Sequence, residues 1–264
     1  MDSPFFYIAM LVLGLAVGLI SAALGVGGGI LMVPAFLAFV PGMDPHTAKG
    51  TSLFAIVFIA AQNTWRMRRA GVKAPRRLTA ILVAGSILGG YGGGWASTFL
   101  PGEVILWLFI TLLTLLGIRT FMLDAKAVSD DEVRSRNGVA FAIALVNGVV
   151  SAMTGVGGGI VMVPMSLLAR IVTNERVVAL SNSVMIFTCL AGSAAHVFAP
   201  QIAQIPWTYG QINVAVAALV FAGTWMGAPL GQIINEKLTL ARRRVVMGAL
   251  LLVIAVQLVF RALG

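Results

Sequence analysis

Charged side chains are scarce in this chain. Only 10% of the 264 residues are Asp, Glu, Lys or Arg, whereas about 25% is usual for a soluble domain. None occurs between residues 177 and 235, and 59% of the chain is hydrophobic. Because a membrane-spanning helix needs about 20 mostly apolar residues, the composition predicts an all-α polytopic membrane protein. The apolar runs are too long, and alternate too little with polar residues, for a membrane barrel.

Cysteine and histidine are also rare. The single cysteine, Cys189, lies in an apolar run, which excludes a disulfide framework and a cysteine-based metal site. The two histidines, His46 and His196, have no paired carboxylates, and no H-E-x-x-H, Walker or cofactor motif occurs. We therefore expect neither an enzyme nor a cofactor, with an intramembrane serine–histidine hydrolase as the remote alternative.

Basic residues are concentrated in short loops. One loop contains Arg66, Arg68, Arg69, Lys73, Arg76 and Arg77, and another contains Lys237, Arg242, Arg243 and Arg244. Lys and Arg accumulate in this way in the cytoplasmic loops of membrane proteins. The net charge of +9 is therefore interpreted as an orientation signal and not as a nucleic-acid surface. We expect these loops to orient the protein and not to bind substrate.

A glycine-rich motif, GVGGG, occurs twice, at 25–29 and 155–159. The segments around it, 18–34 and 148–164, share 12 identities in 17 positions without a gap. Weaker similarity continues beyond them, because 48–52 corresponds to 179–183 and 84–86 to 222–224. The chain is therefore predicted to consist of two homologous halves.

Each half is predicted to contain a glycine-broken helical hairpin followed by three spans. The first repeat, 1–122, has its hairpin at 5–40 and its spans at 48–65, 78–99 and 104–122. A polar linker at 123–138 leads to the second repeat, 139–264, with its hairpin at 139–170 and its spans at 177–198, 208–234 and 245–262. A hairpin returns the chain to its starting side, so each half makes an odd net number of crossings. The second repeat must then be inverted relative to the first.

The distribution of charge supports this topology. With loop 66–77 inside, the loops at 41–47, 100–103 and 199–207 fall outside, and 16 of the 18 Lys and Arg residues lie inside. The exceptions are Lys49 and Arg261, and both termini are predicted to lie outside. Inverted repeats with interrupted helices are typical of secondary transporters, which bind substrate near the midplane where the repeats meet.

The glycine motifs suggest what is bound. A helix that begins just after a tight glycine turn presents free N–H groups and the positive end of its dipole, which favour anions. Two such turns entering from opposite faces would form a paired anion site without charged side chains. The alternative is that these glycines serve only the close packing of helices.

The residues that carry these motifs resemble a known family. The motif at 25–29 with Pro34, its repeat at 155–159 with Pro164, and Thr51-Ser52 are similar to the TauE/SafE family of anion exporters, over essentially the whole chain. The resemblance implies export of sulfite or of an organosulfonate such as sulfoacetate across the cytoplasmic membrane, by alternating access. Lys49 stands where an apolar residue is more usual, and Asn182-Ser183 replaces Thr-Ser, so a less symmetric site is implied.

Thirteen residues are predicted to bind the anion. They are Ser21, Gly27, Gly28, Gly29, Lys49, Thr51, Ser52, Ser151, Gly157, Gly158, Gly159, Asn182 and Ser183. Two simpler roles stay open: a hydroxyl in a membrane helix often bonds its own i−4 carbonyl, and Lys49 would snorkel to the headgroups if it lay near a helix end. His196 is expected at the outer interface, and Asp44 with Pro45 is expected to start a helix.

The residues also leave other functions open. An anion channel and a cation-coupled importer of another small anion are the main alternatives. The lack of an intramembrane carboxylate weakens a sodium or proton site built from Asp or Glu. The expected partners are the small anion and the lipid bilayer, with no nucleic acid and with homodimerisation left open.

Overall fold

The computed structural model describes residues 4–24, 28–122 and 128–263. These residues form ten α-helices, one short 3-10 helix and two short strands. The helices are α1 (Pro4–Leu24), α2 (Gly29–Phe39), α3 (Pro45–Arg69), α4 (Arg76–Thr98), α5 (Gly102–Met122), α6 (Asn137–Thr154), α7 (Gly159–Leu168), α8 (Asn174–Val197), α9 (Val214–Lys237) and α10 (Leu240–Leu263). The 3-10 helix covers Asp130–Glu132, and the strands are β1 (Thr208–Tyr209) and β2 (Ile212–Asn213).

Seven helices of the described chain are long and apolar enough to cross a membrane. They are α1, α4, α5, α6, α8, α9 and α10. This confirms the prediction of an all-α polytopic membrane protein. Helix α3 is the longest at 25 residues, but Lys49 and its basic last turn make it less apolar. Helices α2 and α7, with 11 and 10 residues, are the short second limbs of the hairpins.

Helix α3 begins as its sequence predicts. The Asp44 carboxylate accepts hydrogen bonds from the backbone N–H groups of His46 at 2.8 Å and Thr47 at 3.1 Å. Pro45 occupies the first helical position, where its missing N–H is not needed. The helix continues past the predicted end at 65 to Arg69, and its basic last turn complements the negative end of the helix dipole.

The predicted span 208–234 starts too early. Its first residues form a small antiparallel hairpin, in which Thr208 pairs with Asn213 and Tyr209 with Ile212. Gly210 permits the turn because it adopts a positive φ of 57°. The Asn213 side chain then accepts a hydrogen bond from the N–H of Val216 at 2.9 Å, so α9 begins only at Val214.

The two halves exchange packing partners. Helix α1 lies along α9, and the corresponding helix α6 lies along α4. The backbones touch, because a methyl group on Gly14 would lie 2.4 Å from the Val220 carbonyl oxygen, and one on Gly89 would lie 2.1 Å from that of Leu145. Rows of glycine four residues apart permit this approach. These rows are Gly85, Gly89 and Gly93 in α4, and Gly223, Gly227 and Gly231 in α9.

Helices α3 and α8 pack against each other at the centre, and α5 pairs with α10. Since α3 and α8 are corresponding helices, as are α5 and α10, the main packing pattern is unchanged when the halves are swapped. This exchange symmetry agrees with two related repeats, and the inversion itself stays a prediction.

The described part of the polar linker rests on the loop before α8. The N–H of Val128 donates to the Asn174 side chain at 2.7 Å, and Glu132 forms an ion pair with Arg170 at 3.6 Å. Both segments are predicted to lie on the cytoplasmic side, and they are in contact.

Candidate functional site

The second limb of each hairpin begins as a helix at the end of its glycine motif. Gly28 caps α2 and Gly158 caps α7, in both cases without a side-chain hydrogen bond to the first turn. The leading N–H groups of these two helices are therefore not used by side-chain caps. Gly27, one of the predicted site residues, lies outside the described residues.

The two hairpin tips, defined here as residues 28–29 and 155–159, touch each other. A methyl group on Gly29 would lie 2.5 Å from the carbonyl oxygen of Val156 and 2.6 Å from Ile56. A methyl group on Gly157 would lie 3.0 Å from Ile56 and 3.2 Å from the Met185 sulfur. Ile56 and Met185 lie near the middle of α3 and α8, respectively. The structure thus brings both glycine turns together halfway along the central helices.

The two turns differ in backbone conformation. Gly155, Gly157 and Gly158 have φ values of 77°, 84° and 78°, which only glycine adopts without strain. Gly28 has an ordinary helical φ of −54°, and a methyl group there would approach chiefly the flexible end of Met32 at 2.9 Å. The second tip therefore requires its glycines for conformation, whereas Gly29 is required for the contact between the tips.

Lys49 is fully buried and does not reach the headgroups. Its Nζ donates to the Ser97 hydroxyl at 2.7 Å, with a longer contact of 3.4 Å to the Ser97 carbonyl. It forms no ion pair with the described residues, and its stem lies against the second tip, because a methyl group on Gly155 would lie 2.7 Å from the Lys49 Cβ. An ammonium group buried without a counter-ion is costly, and an anion beside it would supply one.

Thr51 and Ser52 are buried and already hydrogen-bonded. Ser52 donates to the Gly155 carbonyl at 2.8 Å, so it joins α3 to the second tip. The Thr51 hydroxyl accepts a hydrogen bond from the N–H of Asn213 at 2.9 Å and faces the small β-hairpin. Of this pair, only Ser52 contacts a glycine tip.

The remaining predicted residues with hydroxyl or amide side chains lie in the first limbs of the hairpins and in α8. Ser151 is buried one turn before Gly155, and its hydroxyl has no hydrogen-bond partner among the described residues. Ser21 lies at the corresponding place in α1 and is partly buried. Asn182 and Ser183 bond carbonyl groups one turn back in α8, those of Val178 and Ala179. These last two side chains follow the simpler i−4 pattern in this conformation.

One buried polar residue near the tips, Asn147, was not predicted from the sequence. A methyl group on Gly158 would lie 2.7 Å from the Asn147 amide nitrogen, and the Asn147 amide oxygen has no partner among the described residues. The sequence feature that could have identified Asn147 is its isolation as a lone asparagine in the apolar run of α6, where the other half has Val17. His196 lies in the last turn of α8 and is buried inside the protein, with its Nδ1 2.8 Å from the Gln211 side-chain oxygen. Its position at the outer interface stays a prediction.

A cavity of about 660 Å³ lies between α3, α4 and α8. Its polar lining includes Thr64, Arg68, Lys73, Arg76 and Ser183, and none of the described residues that line it is acidic. It lies at the end of α3 that carries loop 66–77, away from the small β-hairpin. Of the predicted site residues, only Ser183 faces it.

The sequence matches a known protein family over almost its whole length. The family described as "Sulfite exporter TauE/SafE" matches residues 10–258. The chain belongs to the TauE/SafE family. Its curated relatives are named as membrane transporters, and the chain is an integral multi-pass membrane protein of that kind.

Similarity to individual relatives extends over whole chains. The chain is 27% identical to the probable membrane transporter protein YunE of Bacillus subtilis, over 97% of this chain and 98% of YunE. It is 24% identical to a probable membrane transporter protein of Xylella fastidiosa, over 93% of each chain. A probable membrane transporter protein of Methanocaldococcus jannaschii is 23% identical over 92% of this chain and 91% of its own. No solved structure matches this TauE/SafE chain.

Proposed function

We propose that this protein is a secondary transporter that exports sulfite or an organosulfonate such as sulfoacetate across the cytoplasmic membrane. The family description supports the class of substrate. The exchange symmetry of the helix packing supports two related repeats, and the distribution of Lys and Arg supports their inversion with both termini outside.

The anion is proposed to bind where the two hairpin tips meet. The single observation that carries this proposal is the contact between Gly29 and Val156, which brings the starts of α2 and α7 together near the middle of α3 and α8. Helix N-termini without side-chain caps offer N–H donors and positive dipole ends to an anion. Irregular backbone is tolerated at this depth because it is buried in protein or lines a site.

Side chains around the tips are proposed to complete the site. The Ser151 hydroxyl is a buried donor close to the second tip without a hydrogen-bond partner in the described chain, and the Asn147 amide nitrogen lies beside Gly158. The stem of Lys49 packs against Gly155, and its ammonium group, held at Ser97, is proposed to attract the anion from there. Ser52 holds the second tip in place, and Thr51 holds the β-hairpin. We therefore propose that the glycines, Ser21 and Ser151 contact the anion directly. The residues proposed to surround these contacts are Lys49, Thr51, Ser52, Asn182 and Ser183.

Alternating access is proposed to arise from two packing units. Each unit combines the hairpin and third helix of one half with the fourth helix of the opposite half. The first unit contains α1, α2, α3 and α9, and the second unit contains α6, α7, α8 and α4. Each unit carries one glycine tip. A shift of one unit against the other would expose the bound anion first to one side of the membrane and then to the other.

Flux measurements on purified protein in proteoliposomes test this function. We expect saturable transport of sulfite or sulfoacetate that is accelerated when unlabelled anion is present on the opposite side, with little transport of sulfate or taurine. Such acceleration requires a carrier that reorients with its substrate. Non-saturable, conductive flux would indicate a channel, and absence of flux for both anions would refute the proposed substrate class.

A further inference from the structure

The cavity beside loop 66–77 has the features of a binding site for anions. Arg68, Lys73 and Arg76 line it together, and none of them forms an ion pair with a described residue. Like charges gathered around one concave surface raise the local concentration of ions of opposite sign. A loop that served only for orientation would not need to place three cations around one cavity.

A buried hydroxyl in the wall of the cavity also lacks a hydrogen-bond partner. Thr64 lines the cavity and is only 7% exposed, yet its Oγ1 has no hydrogen-bond partner among the described residues. Buried polar groups in native proteins are rarely left in this state without a reason. The neighbouring Thr79 hydroxyl, in contrast, is occupied by the Pro75 carbonyl at 2.8 Å. Thr64 thus contributes a buried hydroxyl without a protein partner to the wall of the cavity that the three cations also line.

The cavity and the glycine tips lie along the same helix, α3. Ile56, Ala60, Thr64 and Arg68 follow each other at four-residue intervals on α3, so neighbours in this row lie on nearly the same face of the helix. Ile56 contacts both tips. Thr64 is eight residues further on, about 12 Å along the helix axis.

We propose that this cavity, lined by Thr64, Arg68, Lys73, Arg76 and Ser183, is a second anion site that collects substrate from the cytoplasmic side before it reaches the tips. This inference rests on the proposed function. The ligand is a small sulfur oxyanion, and 660 Å³ leaves room for a hydrated sulfonate. The site replaces the sequence-based expectation that the basic loop only orients the protein.

Two adjacent arginines provide a matched test. Arg76 lines the cavity and Arg77 does not, although both are exposed at the start of α4. In proteoliposomes supplied with sulfoacetate or sulfite on the cytoplasmic face, we expect R76Q and R68Q to raise KM by roughly threefold to tenfold, with an unchanged maximal rate. We expect R77Q to stay within about twofold of the wild type. Raising the ionic strength should bring the wild-type KM toward that of R76Q.

Thr64→Val tests the site independently of charge. Because the Thr64 hydroxyl has no protein partner, its removal should leave the apparent melting temperature unchanged or higher, while KM on the cytoplasmic face rises. Equal KM values for R76Q and R77Q, or an unchanged KM for T64V, would overturn the second site while leaving the transporter proposal intact. A wild-type protein that moves neither anion would instead overturn the transporter proposal, and this inference with it.

Discussion

The hydroxyl of Ser52 donates a 2.8 Å hydrogen bond to the backbone carbonyl of Gly155. This bond joins α3 of the first half to the turn of the second hairpin, 103 residues later in the chain. Both groups are buried where water does not replace a lost partner. The position of the second tip therefore depends on a side chain from the opposite half.

Removing the Ser52 hydroxyl should loosen the second tip. We expect S52A to lower stability by about 1 kcal/mol, within the range measured for hydrogen bonds between membrane helices, and to reduce anion affinity. The matched control is T188V in α8, because the Thr188 hydroxyl is also buried but bonds only its own helix at Val184. Thermal unfolding in detergent and anion titration measure the two effects. Equal losses in both variants would show that the bond to Gly155 is unimportant.

Two neighbouring glycines of the first tip should respond differently to the same added methyl group. G29A places a methyl 2.5 Å from the Val156 carbonyl oxygen and must push the tips apart, whereas G28A meets chiefly the movable end of Met32. We therefore expect transport to be lost in G29A and largely retained in G28A. The reverse order would contradict the proposed site between the tips. Flux in proteoliposomes, with expression level as a folding control, decides between them.

Lys49→Met should weaken anion binding without lowering the stability of the protein. Methionine preserves the apolar stem that packs at Gly155 and removes the buried ammonium group, and exchanges of this kind are often neutral or stabilising. We expect an unchanged or higher melting temperature, together with roughly a threefold to tenfold weaker anion affinity, because Lys49 attracts the anion without bonding it directly. S97A, which removes only the hydroxyl partner of Lys49, serves as the comparison. An unchanged affinity in K49M would remove Lys49 from the site.

The contact between α4 and α6 should tolerate no methyl group on its inner face. G89A would bring a methyl to 2.1 Å from the Leu145 carbonyl oxygen, whereas nothing lies within 4 Å of one on Gly92. We expect G89A to fold poorly and G92A to be neutral or to gain up to about 1 kcal/mol from its higher helix propensity. Yield and size-exclusion profile in detergent measure this difference. Two equally well-folded variants would mean that the helices separate readily.

Cysteine labelling tests the predicted topology. Cys189 is buried and is first replaced by alanine. An impermeant maleimide should then label Q201C in intact cells, whereas A70C should react only after permeabilisation. Labelling of A70C from outside would reverse the orientation and would move the cavity beside loop 66–77 to the external face.

Features set by local sequence were predictable, and those set by distant contacts were not. The hairpins, the glycine turns and the start of α3 at Asp44 follow from apolar run length, glycine clusters and capping chemistry, all within a few residues. The exchange of α1 and α6 between halves depends on two rows of glycine. The row in α9 contacts α1, which is more than a hundred residues earlier, and the row in α4 contacts α6, which follows the polar linker. The periodicity within one helix does not show which distant helix packs against it.

The two basic residues that the charge rule places outside illustrate the same limit. Lys49 bonds Ser97, and Arg261 donates to the Leu37 carbonyl near the end of α2. Each donates to an acceptor on another helix, but only Lys49 is buried away from the surface that a charged side chain usually reaches, because Arg261 is exposed. The acceptors are a serine and a backbone carbonyl, which carry no distinguishing signal in the sequence.

The exchange of partners also sets an order of assembly during synthesis. Helix α6 finds α4 already in the membrane, but α1 ends at Leu24 and its partner α9 begins only at Val214. At ribosomal speeds of about 5–20 residues per second, this interval lasts roughly 10–40 s. Through that time the glycine-lined face of α1 stays without its partner, so the nascent first half depends on lipid or on the insertion machinery to cover it.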